Sequence, residues 1–512
     1  MGARQGAHPG GSGADLARSS TETLKNLILG GIGSATIVDG AKVTSEDLGT
    51  NFFFEESCVG EGRAKGCCTF LQELNENVQT GFVDEDPAHL VEKNPQFFKD
   101  FTLVIATELS ERALVKLDGI CRTYGIPLLI CRTNGLVGSI RISVQEHIIE
   151  DAKPENPVWD LRLDKPWPEL LEFCKSFQLD ACDDVAHSHV PYVALLVQAT
   201  EMWQKETMGE APTSKASSAF KKFVRGMQRS IDGVPIDEEN FKEAVQNAYY
   251  LWAPARLPKE LSALFEDPKA EIDADSSDFW ILIASMREYV AGEGAGALPL
   301  DGGIPDMTAT TDLYVKLQHV YIDRAEKEKA AFSRYVEANL KKLNRDPLSI
   351  APEKVAKFCK FARFCGVARY PSLAAECEPS KRNTEGLSKF FGSDEYADNA
   401  AIYLLLRAVD KYTDARGHVP GSFKGDFEED VVQLKSIATA LAADLGLGSD
   451  AVHEDYLTEI VRFGGSQLHT VGAIMGGIAA QEAIKVITHL FAPIEGTFVY
   501  NGIKNTSAIL KL

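Results

Sequence analysis

The chain has 512 residues, 45% of them hydrophobic, enough to fill two or three cores rather than one. A formal net charge of −21 sets its long-range field against nucleic-acid phosphate and anionic membrane and favours a basic or polar partner. Ten cysteines without a Cys-x-x-Cys pair suit neither a disulfide scaffold nor a zinc ribbon and read as reduced thiols, which points to the cytoplasm, the nucleus or both.

The opening MGARQGAHPGGSGADLARSS has no apolar signal core and little bulk to bury, so residues 1–20 are expected to be a disordered leader. From Thr21 to about residue 150 the patterns alternate. TETLKNLIL and RAKGCCTFLQELN are helical, whereas ATIVDG, TLVIATE and PLLICRT are short strands, apolar throughout as burial on both faces requires. Alternation of this kind predicts a Rossmann-like parallel sheet with helices on its faces. Gly30, Gly31 and Gly33 lie after a helix and before a strand, the reverse of a phosphate-cradling loop, and read as a helix-ending turn. The dipeptide Gly-Lys is absent, which excludes a Walker lysine. Asp39 ends the strand ATIVD, a place where a carboxylate can bind a ribose hydroxyl but more often forms a turn.

From Leu163 to about His453 the patterns are long and helical, as in DFWILIASMREYVA and in LYVKLQHVYIDRAEKEKAAFSRYVEANLKKL. In the latter Leu313, Leu317, Val320, Phe332, Val336, Leu340 and Leu343 recur mostly at spacings of three and four and form one apolar face. GEGAGALPLDGGIPDM is a loop. His187 and His189 in HSHVPY lack a third ligand at zinc spacing and mark a turn into a buried helix at Tyr192. Cys67, Cys68, Cys359 and Cys365 lie in apolar helical patterns and read as core. The Gly-rich helix GAIMGGIAAQEAIKVITHLF and the strand GTFVYNG complete the first domain, so the helical region is an insertion. No apolar stretch runs uninterrupted for about 18 residues, and a membrane is not an expected partner.

The runs ETLKNLILGGIGSATIVDG, LLICRTNGLVGSIRI, LRLDKPWPEL, HSHVPY, IYLLLRAVDKY and HTVGAIMGGIAAQEAIKVIT together resemble the regulatory, non-catalytic subunit of the heterodimeric enzyme that activates a neddylation (RUB) modifier, within the ubiquitin-activating superfamily. The resemblance implies an α/β, Rossmann-like adenylation fold of the ThiF/MoeB type, degenerate and interrupted by a large, mainly helical domain related to the catalytic-cysteine domain. The expected division is a leader at 1–20, the adenylation-type domain at 21–164 and 456–512, and the insertion at 165–455. Active members follow the strand-end aspartate with a second aspartate, an arginine and a lysine for the phosphates. Here Gly40 and Ala41 follow Asp39, Thr50 stands where the arginine falls, and Glu61 stands where the first lysine falls. Exchanging lysine for glutamate replaces attraction for a triphosphate by repulsion on the order of several kcal/mol. The magnesium aspartate after TLVIA appears at most as Glu108, and no cysteine sits in a Thr-Ile-Pro-x-Cys-Thr setting.

The resemblance therefore implies no catalytic residue, cofactor or metal in this chain. ATP, magnesium and zinc belong to a catalytic partner subunit, and the pair adenylates the modifier's C-terminal glycine and then forms a thioester. Tyr314, Lys316, Gln318 and Tyr321 are the partner surface that the resemblance implies, and Gly476 and Gly477 in HTVGAIMGGIAAQEAIKVIT are expected to allow close backbone approach at a second packed surface with the partner. The family's Arg-containing opening segment and first strand are not visible before Thr21, so an alternative or truncated start lacking the central strand is expected. The competing readings are a subunit of the SUMO-activating enzyme, a self-sufficient adenylating enzyme, and a scaffold without an enzyme partner.

Overall fold

The computed structural model describes residues 4–9, 18–152, 159–377, 384–422 and 426–511. Two compact units emerge, Met1–Ile149 with Val367–Leu512, and Glu150–Gly366.

The main sheet of the first unit is built from β1 (Arg4–Pro9), β2 (Ser34–Val38), β3 (Gln79–Val83), β4 (Leu103–Thr107), β5 (Leu128–Asn134), β6 (Val137–Ser143), β7 (Thr497–Asn501) and β8 (Thr506–Leu510). Among the described residues they form one eight-stranded sheet in the order β8-β7-β6-β5-β4-β1-β2-β3. The run from β3 to β5 is parallel, as expected. The half from β5 to β8 is antiparallel, which the alternation of helices and strands did not indicate.

The expectation of a missing first strand is corrected. β1 lies between β2 and β4, with Gly6 opposite Thr36 on one side and Val104 on the other. A ladder is made by N–H and C=O groups, both of which every residue except proline carries, so the polar segment RQGAHP can supply a central strand that no apolar pattern announces. Residues 1–3 and 10–17 of the expected leader lie outside the described residues.

The helices of this unit include α1 (Arg18–Leu29), α2 (Ser45–Thr50), α3 (Arg63–Leu74) and α4 (Glu111–Thr123), and later α10 (Leu373–Cys377), α11 (Ala397–Arg416), α12 (Phe427–Asp444), α13 (Glu454–Phe463) and α14 (His469–Thr488). Side chains alternate across the sheet. Leu103, Ile105, Leu129 and Cys131 pack with α1, α3 and α14, while Val104, Ala106, Leu128 and Ile130 pack with α4. Helices α11 to α13 close over Val137, Val499, Ala508 and Leu510. This moves the end of the insertion from 455 to 366, and its start from 165 to 150. The antiparallel half of the sheet needs an apolar cover, and α11 to α13 supply it. Helix α14 is long and apolar enough, by length and composition alone, to cross a membrane. Half of it is buried in the unit, against α1 and the sheet, and that burial accounts for the composition.

The second unit contains α5 (Pro168–Lys175), α6 (Tyr192–Glu206), α7 (Glu239–Asn247), α8 (Asp278–Ala291) and the 32-residue α9 (Thr311–Lys342), among others. Its core gathers Trp167, Leu195, Phe220, Phe241, Leu317 and Tyr321. Without a helix or strand of its own, the stretch 297–310 is pinned by Arg162, which donates to Leu298 O at 2.6 Å, and by Glu328, which accepts from Leu300 N at 2.9 Å. HSHVPY is structural, as expected. The His187 ring pairs with Glu238 at 2.5 Å and stacks on Phe241, His189 bonds to Val185 O at 2.8 Å, and α6 starts after Pro191.

Candidate functional site

The place where an active adenylation fold binds its nucleotide is the end of β2 and the turn that follows. Asp39 is there and buried, but it is already occupied: its Oδ1 accepts from Ala41 N at 2.8 Å, and its Oδ2 lies 3.1 Å from Arg63 Nε. Arg63 opens α3 and is itself buried, and its Nη1 lies 3.5 Å from Asp47 Oδ1. Asp47 is fixed by the capping box at the start of α2, where Thr44 Oγ1 accepts from Asp47 N and the Asp47 carboxylate accepts from Thr44 N at 2.7 Å. Two carboxylates thus share one guanidinium. Burial raises the Asp39 carboxyl from 3.8 to about 6, although Arg63 pulls the other way. Sequence reasoning missed Arg63 and Asp47. The Thr44-x-x-Asp47 capping pattern was the available signal for one of them, and an arginine at the head of an apolar helix was the weaker signal for the other.

The other degenerate positions lie on separate elements. Thr50 is the last residue of α2. Glu61 is half-exposed and pairs with Lys65 at 3.3 Å. The Asp84 carboxylate closes on the cap of α3, so tightly that a Cβ on Gly62 would lie 2.8 Å from Asp84 Cγ. A helix amino terminus that could attract an anion therefore faces an acid. Glu108 follows β4 with φ +54° and is engaged as a brace, accepting from Thr133 N at 3.2 Å and Gln467 Nε2 at 3.3 Å; burial raises its pKa. Among the described residues no three His, Cys, Asp or Glu side chains are grouped to hold a metal ion. These residues do not fit a nucleoside triphosphate with its metal.

The expected partner surface divides. Tyr321 is wholly buried, donates its hydroxyl to Leu161 O at 2.8 Å and meets Trp167 edge-on, so it is core and not contact. It recurs on the apolar face of α9, and its polar tip hid that role in the sequence. Tyr314 is half-buried with its hydroxyl 3.4 Å from Ile304 O, Gln318 is half-buried, and Lys316 is exposed. Gly476 is likewise internal. A Cβ there would stand 2.9 Å from Ser19 O and 3.0 Å from Thr23 N of α1, and its carbonyl accepts from Thr23 Oγ1 at 3.3 Å. A Cβ on Gly477 would meet nothing within 4 Å. Gly477 sits in an outward stripe of α14 with Ala473, Ile474, Ile478 and Gln481, at helical spacings of three and four. On α1 Leu29 is 59% exposed, and on α14 Ile474 is 42% exposed.

Comparison with known proteins accounts for this combination of an adenylation fold and a filled nucleotide corner. The ThiF family model matches residues 21–512. The NEDD8-activating enzyme E1 regulatory subunit AXR1 of Arabidopsis thaliana is 42% identical over 96% of this chain and 91% of its own length. AXL of the same plant, also a NEDD8-activating enzyme E1 regulatory subunit, is 42% identical over 96% and 93%. The regulatory subunit of Danio rerio is 39% identical over 96% and 93%. With its sheet, its filled nucleotide corner and this near full-length similarity, the chain belongs to the ThiF family and, within it, to the NEDD8-activating enzyme E1 regulatory subunits.

Proposed function

We propose that this chain is the non-catalytic half of a heterodimer whose catalytic subunit carries ATP, magnesium, zinc and the reactive cysteine. The pair adenylates the C-terminal glycine of a NEDD8-type modifier and transfers it to a thioester. The observation that carries the reading is Arg63, buried between Asp39 and Asp47 where a nucleotide would need the aspartate free. The same observation opposes a self-sufficient adenylating enzyme. The names of the relatives favour the NEDD8 pathway over SUMO activation. In this reading the outward face of α1 and α14 docks the catalytic subunit, the exposed part of α9 around Lys316 is a second contact, and the complex works in the cytoplasm, the nucleus or both.

Mixing the chain with the catalytic subunit is the direct test. A one-to-one complex by sedimentation, with ATP-dependent modifier thioester that the catalytic subunit alone does not form, is expected. No complex and no gain in thioester would overturn the proposal. Calorimetry on the isolated chain should show ATP binding weaker than about 1 mM, equivalent to less than about 4 kcal/mol.

A further inference from the structure

The sheet of the first unit ends at β3, which pairs with β2 along one side and with no strand along the other. Gln79 donates its N–H to Gly33 O at 3.1 Å, and Val83 O accepts from Asp39 N at 3.2 Å, so alternate residues of the strand, starting at Gln79, point their backbone groups at β2. The N–H and C=O groups of Thr80 and Phe82 are thereby turned outward, and they have no partner among the described residues. Natural edges are usually blunted by a lysine, a proline, a bulge or a covering segment. The strand QTGFV has no charged residue and no proline, its register against β2 runs without a bulge, and Phe82 is 45% exposed. Charge along this edge has one sign. From Gly66 to Glu92 the chain carries six carboxylates and no lysine or arginine. Glu73 and Glu76 precede the strand, and Asp84, Glu85 and Asp86 follow it directly. Lys65 of α3 is already paired with Glu61 at 3.3 Å and Lys116 with Glu92, which leaves the acids at the two ends of β3 to His89, the partner of Glu85 at 2.7 Å.

We propose that the open edge of β3 takes an extended, lysine- or arginine-bearing segment of another protein as a further strand of the sheet. Donors and acceptors repeated at every second residue are matched by an extended backbone and not by a helix, whose own groups are already paired. The five residues of β3 span roughly 16 Å, so basic residues about five positions apart in the added strand reach the acids at both ends. Between them, a β-branched or apolar side chain set across from Phe82 covers the exposed ring. The same charge disfavours a second copy of this chain as the occupant, because pairing two such edges sets Glu73, Glu76, Asp84, Glu85 and Asp86 against their counterparts. The inference concerns this chain alone and stands whether or not the heterodimer reading holds.

The test uses the full chain and a fluorescent peptide with two lysines at each end of a Thr-Val-Thr-Val-Thr core. One control peptide has glutamate in place of lysine, and another has every core amide N-methylated, which keeps the charge and removes the ladder donors. Saturable binding by anisotropy is expected for the parent peptide and at least about tenfold weaker binding for both controls. Hydrogen exchange at the Thr80 and Phe82 amides should slow when the parent peptide saturates the chain. Phe82→Pro removes an outward N–H and no bond to β2, so it should keep the sheet and weaken binding by about tenfold or more. Because that variant can disturb the strand, the exposed pair Glu73→Lys with Glu76→Lys, which alters charge alone, provides a second loss. The proposal is overturned if the parent peptide does not saturate, if the N-methylated or glutamate peptide binds as tightly, if binding is unchanged in the double lysine variant, or if sedimentation shows that the edge is closed by a second copy of the chain.

Discussion

Both faces of the first unit's sheet are packed with apolar side chains, but only one of them also encloses ion pairs. On one face α1 and α14 approach at van der Waals distance, with Gly476 against the backbone of Ser19 and Thr23 and with Leu24, Ile105, Cys131 and Met475 filling the space. On the other, α4 and α11 enclose paired arginines and carboxylates over Ser139 and Thr497. The first face gains from burial and shape, and any added atom is felt. The second gains little from its ion pairs, since desolvation offsets their attraction, but it loses heavily if one partner is removed. Packing and pairing therefore fail differently, and substitutions can separate them.

The largest expected effect is on the charged face. Asp410→Ala leaves Arg132 buried without its carboxylate and should destabilise the unit by about 3–5 kcal/mol. The double change Arg132→Leu with Asp410→Leu removes both charges and should recover most of that loss. Thermal unfolding of the two single variants and the double variant gives the coupling. If the double variant melts as low as Asp410→Ala, the pair contributes more than mutual neutralisation and the contrast between the faces fails.

Next is the pH dependence at Asp39, a charged corner set against the otherwise apolar face. Its carboxyl is raised from 3.8 to about 6 by burial, so the folded chain retains a proton that the unfolded chain releases. The resulting stabilisation is full below about pH 4, falls as the pH rises to about 6, and is gone above it. Its size follows from about 1.4 kcal/mol for each pH unit separating the folded from the unfolded value, on the order of 3 kcal/mol in all. Asp39→Asn should remove this slope. The check is the difference between the wild-type and variant stability profiles from pH 4 to 7, and a constant difference across that range would show that Asp39 ionises normally in the fold.

What was legible in the sequence follows the same division. The helices at Thr21, Asp278 and His469 and the strands around Ile37, Ile105 and Ile130 were readable because burial on a face imposes a period or an apolar run. β1 was not, because Arg4–Pro9 offers backbone pairing with little side-chain pattern. The end of the insertion was misplaced because α11 to α13 have the same apolar periodicity whether they cover a sheet or other helices. At the end of β2 the expectation for Thr50 and Glu61 came from the resemblance alone, whereas the pairing of Asp39 with Arg63, 24 positions away, leaves no local trace in the sequence. The pair Arg132–Asp410 spans 278 positions and leaves no local trace in either segment.

The smallest effects distinguish packing from docking, at two neighbouring glycines. In Gly476→Ala the new Cβ falls 2.5 Å from Glu22 Cβ and against two backbone atoms of α1, so the helices must part. Overpacking of this kind costs about 1–3 kcal/mol, only partly offset by the roughly 1 kcal/mol that alanine gains over glycine in a helix. Gly477→Ala meets no atom within 4 Å and should instead raise stability by about 0.5–1 kcal/mol, since the unfolded chain loses freedom and the folded one is unchanged. Adjacent residues in one helix are thus expected to respond with opposite signs. Gly477→Leu extends the comparison to assembly: it projects from the outward stripe beside Ile474 and Ile478, so it should leave the melting temperature of the isolated chain intact while weakening association with the catalytic subunit. Sedimentation of the mixed subunits measures that association. Unchanged association for Gly477→Leu would place the docking surface elsewhere than on the outward stripe of α14, while the opposite signs at the two alanine variants would still stand as a test of packing alone.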